Sequence, residues 1–293
     1  MYVRSFQYLA PKTVKEAVTL LNKLGGEAKV IAGGQSLVPL MKLRLATPSY
    51  LIDLNRVKGL DYIKDQKNRI LIGALTRHAA IENSDLIKEH VPIMAEAASH
   101  IADPQVRNLG TIGGSLAHCD PAGDWGAVVI ALNGEVKITG PRKDRVMKID
   151  DFFIDTYQPN LKKGEILTEV RIPKPQPNSG GAYLKLERRA GDFATAGVAA
   201  QLTLDVDGVC RYAGIGLTAL GPTSLRARKA EKTLLGRKVD DNSIEEAAEA
   251  AAEESKPTDD PLRGSAEYKR AMARVLTRRA LKLALARATG GGA

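Results

Sequence analysis

Gln105-Val106-Arg107-Asn108-Leu109-Gly110-Thr111-Ile112-Gly113-Gly114-Ser115-Leu116-Ala117-His118 is the stretch on which the reading of this chain turns. It has a counterpart upstream, Ala32-Gly33-Gly34-Gln35-Ser36-Leu37-Val38-Pro39-Leu40-Met41-Lys42, directly after the strand-like run Lys29-Val30-Ile31. Each pairs adjacent glycines with a small hydroxyl residue. Glycine lets the backbone approach a ligand closely and adopt positive φ, so that successive N–H groups can point at one anion. Serine and threonine hydroxyls add short donors for phosphate oxygens. Neither segment is a G-x-G-x-x-G fingerprint or a Walker loop, so the Rossmann and P-loop readings fail. The residues by themselves imply a nucleotide-like anion gripped from two sides; a plain pair of turns is the competing reading.

Working outward, Thr13 with Glu16 forms a capping box that opens a helix. Val14, Ala17, Val18, Leu21 and Leu24 make its apolar stripe, and Gly25-Gly26 ends it. Strands are predicted at Lys29 to Ile31, Tyr50 to Leu54, Arg69 to Leu75, Val136 to Thr139 and Ile166 to Ile172. Ile93 to Ile101 reads as helix, broken by Asp103-Pro104. In Pro173-Lys174-Pro175-Gln176-Pro177-Asn178-Ser179-Gly180-Gly181, alternate prolines and then glycines interrupt any sheet or helix and set a domain boundary. Beyond it, Ala199 to Val206 and Val209 to Ala219 flank Asp207-Gly208 as a tight hairpin. Helices follow near Leu225 to Leu235, from Ser243 with Glu246, and through a basic segment. The layout is a mixed α/β region over residues 1–176, a smaller α+β domain with an antiparallel sheet over 177–288, and a disordered tail, 289–293.

Composition narrows the function classes. A chain of 293 residues with 44% hydrophobic and 26% charged residues is an ordinary globular protein. No apolar run is long enough to cross a bilayer, and Met1-Tyr2-Val3-Arg4 leads no signal-peptide core. Cys119 and Cys210 form no close-spaced metal or redox pair, which points to a reducing, cytoplasmic setting; a peripheral place at the inner face of the membrane is the alternative. The net charge of +9 raises the question of nucleic acid. Much of it lies on one helix, as Lys269, Arg270, Arg274, Arg278, Arg279, Lys282 and Arg287, with Tyr268, Met272, Val275, Leu276, Ala280 and Leu283 as its apolar side. A solvated face, or one docking an acidic partner, explains this, and four Phe with one Trp are too few for stacking platforms. His78, His90, His100 and His118 show no metal-ligand spacing, and two separated cysteines cannot hold an iron–sulfur cluster.

The two glycine segments resemble the FAD-binding subunit of the molybdenum hydroxylases, the family of the xanthine dehydrogenases and aerobic carbon monoxide dehydrogenases. The likeness begins near Phe6, runs through Asp192-Phe193-Ala194-Thr195-Ala196 and resumes over Gly214 to Pro222, so it covers nearly the whole chain. The run from Ser36 to Pro48 is most similar to the carbon monoxide dehydrogenase medium subunits. The resemblance implies an α+β architecture: the FAD-binding fold shared with vanillyl-alcohol oxidase, with two α/β subdomains, then a smaller domain with an antiparallel sheet and flanking helices.

It also implies roles. Ala32, Gly33, Gly34, Gln35 and Ser36 with Thr111, Ile112, Gly113, Gly114 and Ser115 would hold the FAD pyrophosphate, with Ile101 touching the cofactor. Asp124 would accept hydroxyl hydrogen bonds from the sugar portion; helix capping is its competing role. Leu167 and Lys185 match positions near the flavin ring, where a cation favours the reduced, anionic flavin. Without the resemblance, Lys185 would be read as a surface lysine. Phe193 stands where the family often has tyrosine, keeping a stacking face without the hydroxyl. Gln35 stands where histidine is also common, and only histidine titrates near neutrality.

The function so implied is an oxidoreductase subunit that relays electrons. A large partner subunit carries a molybdopterin-type molybdenum cofactor, and a small one carries a pair of 2Fe–2S clusters. This chain's FAD passes electrons to NAD or a quinone, in what would be a dimer of heterotrimers. Carbon monoxide is the substrate the Ser36–Pro48 run suggests, with an aldehyde, purine or N-heterocycle as alternatives. A stand-alone FAD oxidase or reductase of the same superfold would need its own acid–base group, and the C-terminal domain offers none. A basic module without flavin, retained on heparin, is the third reading.

Overall fold

The computed structural model describes residues 2–291. Its first layer runs β1 (Gln7–Leu9), α1 (Val14–Leu24), β2 (Ala28–Ile31), α2 (Leu37–Lys42) and β3 (Tyr50–Asp53). The three strands are parallel in the order β1-β3-β2, with Leu51 between Tyr8 and Lys29. Thr13 caps α1 by accepting from Glu16 N at 3.1 Å, while the Glu16 carboxylate reaches one residue past the cap, to Lys12 N at 2.9 Å. The apolar stripe works as its spacing predicts: Ala17 and Val18 pack on Ala28, Ile52 and Leu54.

The second layer comprises β4 (Ile63–Gln66), β5 (Arg69–Gly73), α3 (His78–Asn83), α4 (Asp85–His90), α5 (Pro92–Ser99), α6 (Pro104–Leu109), α7 (Ile112–His118), α8 (Asp124–Ala131), β6 (Glu135–Thr139), β7 (Asp144–Lys148), β8 (Phe153–Asp155), β9 (Gln158–Pro159) and β10 (Ile166–Pro173). Five of these strands form one antiparallel sheet, β4-β5-β10-β6-β7. Asp103-Pro104 does break the preceding helix, and it also starts the next: Asp103 accepts from Val106 N at 2.8 Å and Pro104 occupies the first turn of α6. Every residue of α8 is buried, so this helix is the central post of the molecule. Trp125 and Phe152 lie in the core that it shares with Ile70, Ile72, Ile138 and Val170.

The third layer has β11 (Ser179–Leu186), β12 (Ala196–Leu204), β13 (Cys210–Thr218) and β14 (Leu225–Arg226) in one antiparallel sheet, then α9 (Arg228–Leu234), α10 (Asp241–Glu254) and α11 (Ala266–Ala288). The proline run sits between sheets, but Gly180 and Gly181 lie inside β11 rather than interrupting it. The reason is close packing: a Cβ on Gly180 would come within 2.1 Å of the Ala284 carbonyl of α11. The hairpin after β12 is wider than the two-residue turn expected, because the Asp205 carboxylate gathers the N–H groups of Asp207 and Val209. Ser243 is the third residue of α10 and not its cap; Asp240 caps the helix and exchanges hydrogen bonds with Ser243.

The inward face of helix α11 overlaps the one its larger apolar residues suggest, at Leu276 and Ala280, but is rotated toward its alanines. Ala273, Leu276, Ala280, Leu281, Ala284 and Ala288 are buried and Tyr268 is exposed. Alanines let the helix axis approach the sheet, and that overrides the bulkier stripe. Its basic residues are largely taken up within the chain: Arg274 and Arg278 pair with Glu245, Lys282 with Asp241, and Arg287 with Glu96 of α5. Thr289 and Gly291 return hydrogen bonds to Leu285 and Ala286; Gly292 and Ala293 of the expected disordered tail lie outside the described residues. Among the described residues no helix is long and apolar enough to cross a membrane.

Candidate functional site

The two glycine loops, 77 positions apart from Gly33 to Gly110, meet in space. A Cβ on Gly33 would stand 2.1 Å from the Leu109 carbonyl oxygen and 2.7 Å from the Gly110 Cα, so only glycine permits this contact. The loops differ in what they leave free. In the first, the N–H groups of Gly33, Gly34, Gln35 and Ser36 find no acceptor among the described residues, and Gly34 has φ +73°. These are consecutive unclaimed donors, the arrangement that holds an anion.

In the second loop most N–H groups are committed, contrary to the expectation that both loops offer them; the Thr111 N–H alone of the five has no acceptor among the described residues. Ile112 donates to Thr76, Gly113 to Ala74, Ser115 to the Thr111 carbonyl, and Gly114 to the Thr111 hydroxyl oxygen, which caps α7. What this loop keeps for a ligand is the Thr111 N–H and the Thr111 and Ser115 hydroxyls, beside Gly113-Gly114 in the first turn of α7. His78 lies beneath it: His78 Nδ1 accepts from Trp125 Nε1 at 3.0 Å, and the backbone N–H of His78 donates to the Gly110 carbonyl at 3.1 Å. Burial, then Arg77 and Arg107, depress its pKa to about 4, so the ring is neutral and Nε2 carries the proton. In sequence this buttress is only an aromatic residue and a histidine on unrelated segments.

Asp124 opens α8 but does not cap it; Gly123 holds the cap position and no side-chain cap bond forms. Its carboxylate faces the third layer. Tyr183 donates to Oδ1 at 2.5 Å, and Lys185 Nζ lies 3.2 Å from Oδ1 and 3.5 Å from Oδ2. Tyr183 and Lys185 are two apart on β11 and therefore share a face. Lys185 is the reverse of a surface lysine: its side chain is 1% exposed, and Nζ also donates to the His100 carbonyl at 3.0 Å and sits 3.3 Å from Glu187. Burial pushes the Asp124 carboxyl above its ordinary range, and Lys185 and Tyr183 pull it back. Oδ2, engaged only at 3.5 Å, keeps accepting capacity of the kind a hydroxyl donor could use. Tyr183 went unnoticed in the sequence; its signal was the alternation Gly181, Tyr183, Lys185.

Ile101, Phe193, Leu167 and Gln35 lie on other segments. Ile101 follows His100 and is held by Arg107, which donates to the Ile101 and Ala102 carbonyls and to Glu82. Phe193 is 50% exposed in the loop joining β11 to β12, and that loop rests on Ala102 through Gly191. Leu167 is buried on β10 in the core of the second layer, beside the bulge at Leu167/Glu169. Gln35 makes only a 3.4 Å contact to its own loop, at the Gly33 carbonyl. A cavity of about 530 Å³ lies elsewhere, between α1 and the strands β6 and β10, and includes none of these residues.

Residues 4–175 match the FAD binding domain in molybdopterin dehydrogenase. The chain belongs to this family. Residues 181–284 match the CO dehydrogenase flavoprotein C-terminal domain, so the smaller antiparallel domain follows the FAD-binding one as expected. The chain is 43% identical over 282 residues to the carbon monoxide dehydrogenase medium chain of Hydrogenophaga pseudoflava, covering 96% of this chain and 98% of that one. It is 40% identical over 284 residues to the 6-hydroxypseudooxynicotine dehydrogenase complex subunit alpha of Paenarthrobacter nicotinovorans, covering 97% and 96%. A solved structure of the Hydrogenophaga pseudoflava carbon monoxide dehydrogenase lacking the Mo-pyranopterin moiety of its cofactor superposes with a TM-score of 0.96 at 44% identity, over 98% and 99% of the two chains. The chain is thus the FAD subunit of a molybdenum hydroxylase, an oxidoreductase component similar to the carbon monoxide dehydrogenase medium chains.

Proposed function

We propose that this chain holds FAD across the two glycine loops and passes electrons arriving from the iron–sulfur clusters of a partner subunit to an external acceptor, NAD or a quinone. The observation that carries the reading is the row of unclaimed N–H groups from Gly33 to Ser36, set against the Thr111 loop. Those donors meet the pyrophosphate, aided by the Thr111 and Ser115 hydroxyls. Ala32, Ile112, Gly113 and Gly114 shape the contact. Asp124 accepts from hydroxyls of the sugar portion. Lys185, enclosed behind Asp124, supplies positive potential that favours negative charge on the ring. Ile101, Leu167 and Phe193 form apolar walls. FAD, when bound, supplies the bridge between one-electron and two-electron chemistry.

We take residues 1–176 as the FAD-binding domain and 177–288 as the C-terminal domain, a division supported by the end of β10 at Pro173 and the start of β11 at Ser179. The partners are a large molybdenum subunit and a small subunit with paired 2Fe–2S clusters, in a cytoplasmic dimer of heterotrimers. Carbon monoxide is the favoured substrate of the assembly. The nearly equal identity to a 6-hydroxypseudooxynicotine dehydrogenase subunit supports a second reading, an N-heterocyclic or related organic substrate. Two measurements test the proposal. The purified chain incubated with FAD retains flavin absorbance after desalting; a colourless eluate refutes the cofactor role. The chain expressed with its neighbouring genes co-elutes with molybdenum- and iron-containing subunits; turnover by the isolated chain would instead make it a stand-alone flavoenzyme.

A further inference from the structure

Between the two loops lies a polar brace that the cofactor assignment does not use. Asn55, just past the end of β3, donates from Nδ2 to the Ala32 carbonyl at 2.8 Å and to Asp53 Oδ1 at 2.6 Å. Its Oδ1 accepts from Arg77 Nη2 at 2.6 Å. The other arm of the Arg77 guanidinium donates to the Leu109 carbonyl, the atom against which Gly33 packs. Asp53 is held in turn by the Tyr8 hydroxyl at 2.5 Å and by Asn55 N at 2.8 Å. The chain Tyr8–Asp53–Asn55–Arg77 thus links β1, β3, the first loop at Ala32 and the second loop at Leu109.

Chemistry dictates the residue types. Both amide hydrogens of Asn55 and its oxygen are used, so its orientation is set by three partners. Aspartate at this position has the same shape but no hydrogen for Ala32 and sets a carboxylate against Asp53. Arg77 serves two acceptors with its fork; lysine has the charge without the fixed geometry. The geometry points to Asn55 and Arg77 as positioning residues that set the spacing of the two loops, and through it the affinity for the pyrophosphate portion of FAD. They touch neighbouring carbonyls and act on the cofactor only through the loops.

This inference rests on the FAD reading, and the experiment separates the two. FAD is titrated into the full-length wild type, Asn55→Asp and Arg77→Lys, with binding followed by flavin fluorescence and the thermal midpoint of each cofactor-free chain recorded alongside. The expected result is a dissociation constant raised roughly tenfold or more in both variants, with cofactor-free midpoints close to wild type. Wild-type affinity in either variant overturns the brace while leaving the FAD reading intact. A fall in affinity matched by collapse of the cofactor-free midpoint also overturns it, since the residues would then hold the fold and not the site. Failure of the wild type itself to bind FAD removes the underlying reading.

Discussion

The Tyr183 hydroxyl donates to Oδ1 of Asp124 across 2.5 Å, joining the C-terminal sheet to the buried first turn of α8. Both residues are enclosed, and Lys185 completes the cluster from the same strand. A buried carboxylate persists only where donors and a countercharge replace water. Here one face of β11 provides them, so the smaller domain completes the surroundings of a candidate site residue carried by the larger one.

Removing the hydroxyl tests this directly. Tyr183→Phe keeps the ring in its pocket and leaves Asp124 short of one donor. We expect a loss of about 1–3 kcal/mol in stability, read by chemical denaturation, and weaker retention of FAD through desalting. Stability and retention equal to wild type would mean that the hydrogen bond contributes nothing.

Removing the countercharge is more severe. Lys185→Met leaves Asp124 buried and unpaired, at a cost of about 3–5 kcal/mol. The double variant Lys185→Met with Asp124→Asn recovers part of that loss, because the charge on Asp124 is gone while Glu187 still lacks its partner. A denaturation series that finds the two changes additive would contradict the pairing.

Gly33→Ala tests the contact between loops. The new Cβ meets the Leu109 carbonyl at 2.1 Å, a distance that forces the backbones apart. We expect FAD affinity to fall at least roughly tenfold, by fluorescence titration, with the outer sheets unaffected by circular dichroism. Unchanged affinity would show that the loop spacing is not part of the binding site.

The buttress beneath the second loop makes stability depend on pH. His78 has a folded pKa of about 4, below the ordinary 6.5, because burial, then Arg77 and Arg107, oppose its protonation. The unfolded chain therefore binds a proton that the folded chain refuses. Its contribution is fully present above about pH 6.5 and is lost as the pH falls toward 4, in all roughly 3 kcal/mol. His78→Asn offers Trp125 an acceptor that does not titrate, and thermal midpoints across this window should flatten in the variant.

What the residues determined alone was local. Thr13 and Glu16 announce a helix start because capping involves positions three apart. Gly33-Gly34 and Gly113-Gly114 announce close backbone approaches because only glycine tolerates them. The cap at Asp240 rather than Ser243 and the rotation of α11 toward its alanines were not legible, since neighbouring positions compete closely and packing arbitrates. Tertiary structure alone decided that Gly33 meets Leu109, that Asn55 and Arg77 span the two loops, and that Lys185 is sealed against Asp124, 61 positions away. Burial and partnership are properties of the packed chain: a lysine reads the same in solvent or in the core until a second sheet closes over it.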